Sequence, residues 1–376
     1  MILLKRNLKW SVLFLIPFLF SCTTGKENEK NTELHGDTLT QQSDLLTLVR
    51  ISDHCLAATI ANPWDSTNCL GRYLLVENGT APEIASDEWT VINVPVKSAL
   101  VYSSVHTSPL EEIGAKEIIK GVADSQYFHS SFILDGINKG NIKDIGNSMS
   151  PSLEKIIDLS PEIAIVSPYE NSGHGLLDKT DINVIDMADY MESTPLGRAE
   201  WILLLGALSG KLAEASAIFD GVKTKYLSLC DSVSHLSPTV KVLCEMPYNG
   251  IWYQPGGNSY MARLIKDGGG QTILKNNDSP GSVQLDISNA YEKGADADVW
   301  IIKAEKDLTR DDILSSTSLA DRIHALQSGN VWFVNTNTTN FYDELAFHPE
   351  KILQDYAAMF HPEKFSSGFS FYRNLN

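Results

Sequence analysis

The stretch LAEASAIFDGVKTKYLSL, residues 212–229, decides the architecture. Leu212, Ala215, Phe219, Val222, Tyr226 and Leu229 recur at spacings of three and four. That period predicts one apolar stripe on a helix of about 20 residues, roughly 30 Å long. The helix lies past the middle of the chain, with strand–helix alternation on both sides of it. A stiff rod in that position reads as a spine joining two α/β lobes.

On its N-terminal side, Thr194 and Pro195 form a helix start, a capping oxygen followed by proline at the first helical position. That helix is expected to run through Trp201 and Leu205 to Gly210. Earlier still, Ile163–Val166 is a continuous apolar run of the kind buried on both faces of a parallel sheet. The segments Leu110–Ile113 and Leu153–Leu159 read as helices, and Ile118–Gly121 as a strand. Residues 46–101 read as strands and turns, with Asn62-Pro63 and Asn78-Gly79 as punctuation. On the C-terminal side, Val240–Cys244, Val299–Lys303 and Val331–Val334 read as strands. Tyr260–Lys266, Ile287–Lys293 and His348–Met359 read as helices.

The first residues address the chain. Lys5, Arg6 and Lys9 precede the apolar run Trp10–Phe20, which is too short to span a bilayer, and Leu19-Phe20-Ser21-Cys22 closes it. This resembles a bacterial lipoprotein signal, with Cys22 as the lipidated residue; the alternative is an ordinary secretory signal with an incidental cysteine. Losing Lys5, Arg6 and Lys9 with the signal takes the net charge from −17 to −20. Such an acidic chain repels nucleic-acid phosphate and anionic lipid headgroups, which makes both poor partners. Residues 22–45 are polar and read as a flexible tether. The expected organisation is a signal peptide (1–21), the tether (22–45), an N-terminal lobe (46–210), the inter-lobe helix (211–234) and a C-terminal lobe (235–376). Among the remaining cysteines, Cys55 with Cys69 and Cys230 with Cys244 are candidate bridges in an oxidising compartment. Buried free thiols are the equal alternative.

Six segments in order carry a resemblance: LEEIGAKEIIKGV (110–122), SMSPSLEKIIDLSPEIAIVSP (148–168), PLGRAEWILLLGALSGKLAEASAIFDGVKTKY (195–226), YNGIWYQPGGNSYMARLIKDGGG (248–270), AYEKGADADVWI (290–301) and HPEKILQDYAAMFHPEKF (348–365). Together they resemble the helical-backbone (class III) substrate-binding proteins of ABC importers, which capture ferric siderophores, haem and cobalamin. Residues 46–96 match less well and look like an added opening set of strands. The resemblance implies two Rossmann-like lobes bridged by one helix, with a single cargo between them. It also implies that Glu154 and Glu292, one per lobe, dock on an ABC permease dimer; solvated helix-face acids are the plain alternative.

Ligands of α/β sheets sit beyond the C-terminal ends of the strands. That rule selects Tyr102 and His106 after Ala99–Val101, Tyr169 after Ile163–Val166, and Trp252 and Tyr253 after Val240–Cys244. It further selects Lys303 and, in the 337–342 loop, Tyr342; Arg198 starts the Thr194 helix that the family often brings to the cleft. Aromatic rings with polar tips suit a large flat or chelated cargo. The expected cargo is an iron chelate, with a corrinoid or haem as the alternative, because few bases can be placed at the cleft. Any metal is expected to arrive inside the cargo, with no cofactor of the protein's own. No nucleophile elbow, metalloprotease helix, phosphate loop or dinucleotide fingerprint occurs, so an envelope enzyme is the weaker reading. The chain is expected to be a monomer on the periplasmic side, held to the membrane by its lipid alone.

Overall fold

A computed structural model describes residues 36–376, apart from 78, 80–85, 87, 238, 366, 367 and 376. The signal segment and Cys22 lie outside the described residues. Three five-stranded sheets follow one another along the chain.

The first consists of β1 (Asp37–Thr38), β2 (Leu46–Ser52), β3 (Cys55–Ala61), β4 (Cys69–Glu77) and β5 (Thr90–Val94), in sequence order. Its first three pairings are antiparallel and β4–β5 is parallel. The second is built from β6 (Ala99–Val101), β7 (Ile119–Val122), β8 (Lys143–Asp144), β9 (Ile163–Val166) and β10 (Asn183–Asp186), with helices α1 (Ser104–Glu112), α2 (Ser131–Asn138) and α3 (Leu153–Leu159) between strands. All its pairings are parallel, in the order β10-β9-β6-β7-β8. Helices α4 (Pro195–Ala199), α5 (Ile202–Ser209) and α6 (Leu212–Ser234) follow.

The third sheet contains β11 (Val240–Cys244), β13 (Gly270–Thr272), β15 (Val299–Ala304), β16 (Val331–Asn335) and β17 (Arg373–Asn374), in the order β13-β11-β15-β16-β17. Strands β12 (Ile251–Pro255) and β14 (Ser282–Asp286) pair separately. Around them lie α7 (Tyr260–Asp267), α8 (Ile287–Gly294), α9 (Arg310–Ser316), α10 (His324–Gln327), α11 (Phe341–Phe347) and α12 (Pro349–Phe360).

The fold is therefore α/β, with two parallel-sheet lobes and the 23-residue α6 between them. At 1.5 Å per residue α6 is about 34 Å long. Its buried stripe is Ala215, Phe219, Val222, Tyr226 and Val233. The N-terminal half packs on α5, where a Cβ on Gly206 would come within 2.5 Å of that of Ala215. The C-terminal half reaches the other lobe, where the Tyr226 hydroxyl donates to Asp267 at 2.8 Å. One apolar core runs from Leu48 through Leu204, Phe219 and Tyr226 to Leu353 and Tyr356. The spine is thus one member of a packed helical layer that includes α5 and α12, and not an isolated rod.

Two sequence readings are corrected and an open one is decided. The Thr194 cap forms as expected, but the helix it starts ends at Ala199 and a second helix runs to Ser209, closed by Gly210 at φ 71°. The last ten residues assigned to the tether are ordered. The N–H groups of Gln41, Gln42 and Ser43 donate to the buried Glu200 carboxylate at 2.8–3.0 Å, and those of Asp44 and Leu45 donate to Glu192. Two internal carboxylates thus fasten the chain entry to the N-terminal lobe, which polarity alone does not reveal. Of the two readings of the cysteines, free thiols hold for the four described ones, Cys55, Cys69, Cys230 and Cys244. Cys55 pairs with Val76 and Cys69 with Ala61, at opposite ends of the β3–β4 ladder. That separation is roughly 20 Å at 3.3 Å per residue, far beyond disulfide reach.

Candidate binding cleft

In the N-terminal lobe the chain leaves β6 for β7 on one side and β9 on the other, so a crevice opens beyond the end of β6. Ser103 caps α1 there, its side chain accepting from the Val105 N–H. Tyr102, Ser103 and Ser104 line a cavity of about 1020 Å3, which the Ser148–Pro151 turn and the Ser167–Leu177 loop complete. Leu70 and Cys69 of the first sheet reach its rim. A second cavity, of about 370 Å3, shares Ser104 and Tyr127 with the first. Its far wall comes from the C-terminal lobe through Lys303, Glu305, Asn337 and Tyr342. The larger cavity thus belongs to the N-terminal lobe, and the smaller one, which adjoins it through Ser104 and Tyr127, lies between the lobes.

Left-handed backbone occurs beyond strand ends in both lobes. Asp124 (φ 51°), Asn171 (φ 56°), Glu245 (φ 57°) and Asn249 (φ 49°) are left-handed and follow β7, β9 and β11. For a residue with a Cβ this costs about 1–2 kcal/mol, and such strain tends to collect at binding sites.

Tyr102 and Tyr169 line the larger cavity, and Lys303 and Tyr342 the smaller one. Burial pushes the Tyr102 phenol up to about 12. Tyr169 and Tyr342 are 58% and 50% exposed, which leaves their rings open to a ligand. Lys303 is not open. Its ammonium donates to the Glu245 carboxylate, whose second oxygen accepts the Lys303 backbone N–H at 3.1 Å. Burial opposes the ammonium charge, yet Glu245 overrides this and holds the pKa above its usual value.

Other expected site residues face elsewhere. His106 lies on α1 and not in a loop, is 1% exposed, and places Nε2 2.9 Å from Asp189 Oδ1. Arg198 donates Nε to the same carboxylate at 2.9 Å and stacks over Tyr260. Burial penalises the Asp189 charge, but Arg198 and His106 more than offset this and keep its pKa below the usual range. This trio belongs to the interior. Trp252 is 0% exposed, its ring 5.6 Å from that of Trp300, and its Nε1 donates to Cys244 O at 2.9 Å. Strand alternation turns Trp252 and Gln254 inward and Tyr253 outward, where Tyr253 borders neither cavity. Glu154 and Glu292 are exposed on α3 and α8, each just ahead of a strand of its own lobe.

The structure adds groups the strand-end rule did not select. Tyr127 is 67% exposed at the junction of the cavities, and Met149 is 77% exposed on the Ser148–Pro151 turn. The short stretch after β7 carries no periodicity that would have marked Tyr127. His174 is pinned between Asp186 at 3.0 Å and Asp178 at 3.2 Å on the cavity wall. The bond to Asp186 raises its pKa.

The family model described as periplasmic binding protein matches residues 101–337, which include most of the residues lining the two cavities. The chain belongs to that family. Its β1–β5 sheet lies ahead of the matched region. An uncharacterized lipoprotein of Methanocaldococcus jannaschii is 27% identical over 319 residues, 78% of this chain and 74% of the relative. The periplasmic vitamin B12 binding protein of Vibrio cholerae superposes with TM-score 0.54 at 15% identity, covering 72% of this chain and 98% of that one. A protein of an ABC-type Fe3+-hydroxamate transport system from Saccharomonospora viridis gives 0.53 at 14%, covering 70% and 93%. At such identities the likeness concerns the fold: two α/β lobes on a helical backbone. No described helix is long and apolar enough to cross a membrane.

Proposed function

We propose that this periplasmic binding protein is the lipid-anchored receptor of an ABC importer. It captures one bulky metal chelate between its lobes and hands it to the permease without chemical change. The observation that carries this reading is the cleft: a cavity of about 1020 Å3 in the N-terminal lobe adjoins one of about 370 Å3 walled by both lobes, and Tyr127 lines both. That volume exceeds what a bare ion fills and suits a chelate or tetrapyrrole-sized guest. The names of the two solved neighbours, one for vitamin B12 and one for an iron hydroxamate, support cargo of that size. The lipoprotein relative and the Leu19–Cys22 box support the anchor on Cys22. Glu154 and Glu292, exposed on equivalent helices, are the docking pair for the permease.

Absorption spectra of natively purified protein test the capture step, because ferric hydroxamate, corrinoid and haem chromophores differ. A chromophore present at one per chain supports the receptor; chemical turnover of a bound chelate, or a protein that no chelate stabilises against heat, contradicts it. Glu154→Arg with Glu292→Arg is expected to abolish uptake in cells while leaving the dissociation constant within twofold of the parent. Uptake that survives both reversals removes the docking assignment.

A further inference from the structure

Resting on the receptor reading above, we infer that the cleft selects cargo with no net negative charge, a neutral or cationic chelate. The evidence is a census of charge along the two cavities. On the C-terminal wall Lys303 is tied to Glu245 at both its ammonium and its own backbone N–H. On the N-terminal wall His174 is held between two aspartates. His129 shares its cavity with Asp343, whose carboxylate accepts from Ser104 across the lobes at 2.9 Å. Arg198 is committed to Asp189 and lines neither cavity. Lys179, exposed, is the remaining base on the described walls.

Against these stand Asp124, Glu305 and Asp343 on the walls themselves, besides the Asp186 that faces His174. A polyanionic guest, such as a ferric tris-catecholate or a haem with two propionates, would meet carboxylates with Lys179 as the one exposed ammonium on the described walls to answer them. Like-charge juxtaposition at an interface costs several kcal/mol, and the chain's net −17 slows the encounter as well. What the larger cavity does offer is neutral: Ser103, Ser104, Ser148, Ser150, Ser167 and Ser172, with tyrosine rings between them. Hydroxyls and rings recognise carbonyls and amides, which carry no charge, and the outer face of a ferric tris-hydroxamate, whose three ligand charges the iron cancels.

The test titrates the full chain in detergent against five probes by calorimetry: cyanocobalamin and ferrichrome (neutral), ferrioxamine B (cationic), ferric enterobactin (trianionic) and haemin (carboxylate-bearing). The expected result is that at least one neutral or cationic probe binds one-to-one, at least 100-fold tighter than either anionic probe. Glu245→Gln, which releases Lys303, is expected to tighten binding of the anionic probes at least fivefold. Asp343→Asn, on α11 of the same lobe, serves the same purpose if the first variant fails to fold. Tightest binding to an anionic probe overturns the charge selection while leaving the receptor reading intact. Unchanged anionic affinity in both folded variants also overturns it. Failure of all five probes to bind overturns the receptor reading, and the inference with it.

Discussion

The Trp252 indole packs against Trp300 and donates to backbone carbonyls at the end of β11, so removing it opens a buried void beneath the cleft. Trp252→Ala is expected to lower unfolding free energy by about 3–5 kcal/mol in chemical denaturation. Tyr127→Ala should do the reverse, leaving stability within about 0.5 kcal/mol because its ring is solvent-exposed. It is expected to weaken cargo capture at least tenfold in calorimetry, and unaltered capture would remove Tyr127 from the site. The contrast shows what was legible at this scale. The strand-end rule located the loops that line the cleft and drew out Tyr102, Tyr169, Lys303 and Tyr342. It could not resolve which way a side chain points within them. The turn-rich context of IWYQP suggested a loop, whereas the segment is a strand whose alternation buries Trp252. Lys303 shows a second limit, since its partner Glu245 is 58 residues away in sequence.

Among elements, the junction of α11 and α12 holds an inter-lobe contact with a pH signature. His348 Nε2 lies 2.7 Å from Glu112 at the end of α1, and Nδ1 lies 3.1 Å from Glu350. Burial works against the imidazolium, but these two carboxylates outweigh it and raise the His348 pKa from 6.5 to about 9. A raised folded pKa means stability that is whole below about pH 6.5 and lost as pH rises through about 9. The Tm difference between the parent and His348→Gln is therefore expected to be largest near pH 6 and to vanish above about pH 9.5. A difference that grows with pH would contradict the pairing. At the chain entry, Glu200→Ala strands the N–H groups of residues 41–43. Losses on the order of 3 kcal/mol are expected in the same denaturation assay. Elements with a strong period or an apolar run, such as α3, β9, β11 and α6, were readable to within a few residues. Helix α2 was missed because its eight residues are short and Gly136 interrupts them. The start of α1 was displaced because Pro109, which reads as a helix opening, sits inside the helix.

For the whole molecule, the central fact is a continuous helical layer under a cleft that opens between two lobes. Because α6 is unbroken and shares one core with α5 and α12, no loop in that layer can absorb a large hinge rotation. Cargo binding is expected to change the radius of gyration by less than about 1 Å in small-angle scattering. A larger contraction would show that the lobes are not coupled through that layer. The two-lobe plan was legible because its periodicities are local. The opening strands were legible too, since residues 46–101 read as strands and turns; that Cys69 and Leu70 reach the cavity rim was not, because that approach joins segments far apart in sequence. The most direct test compares cargo stoichiometry by native mass spectrometry in the parent and in Tyr127→Ala/Tyr169→Ala, each incubated with cyanocobalamin and ferrichrome. One guest per parent chain and none on the equally folded double variant is the expected outcome; equal loading of both proteins, or loading of neither, would show that the cleft is not where this chain does its work.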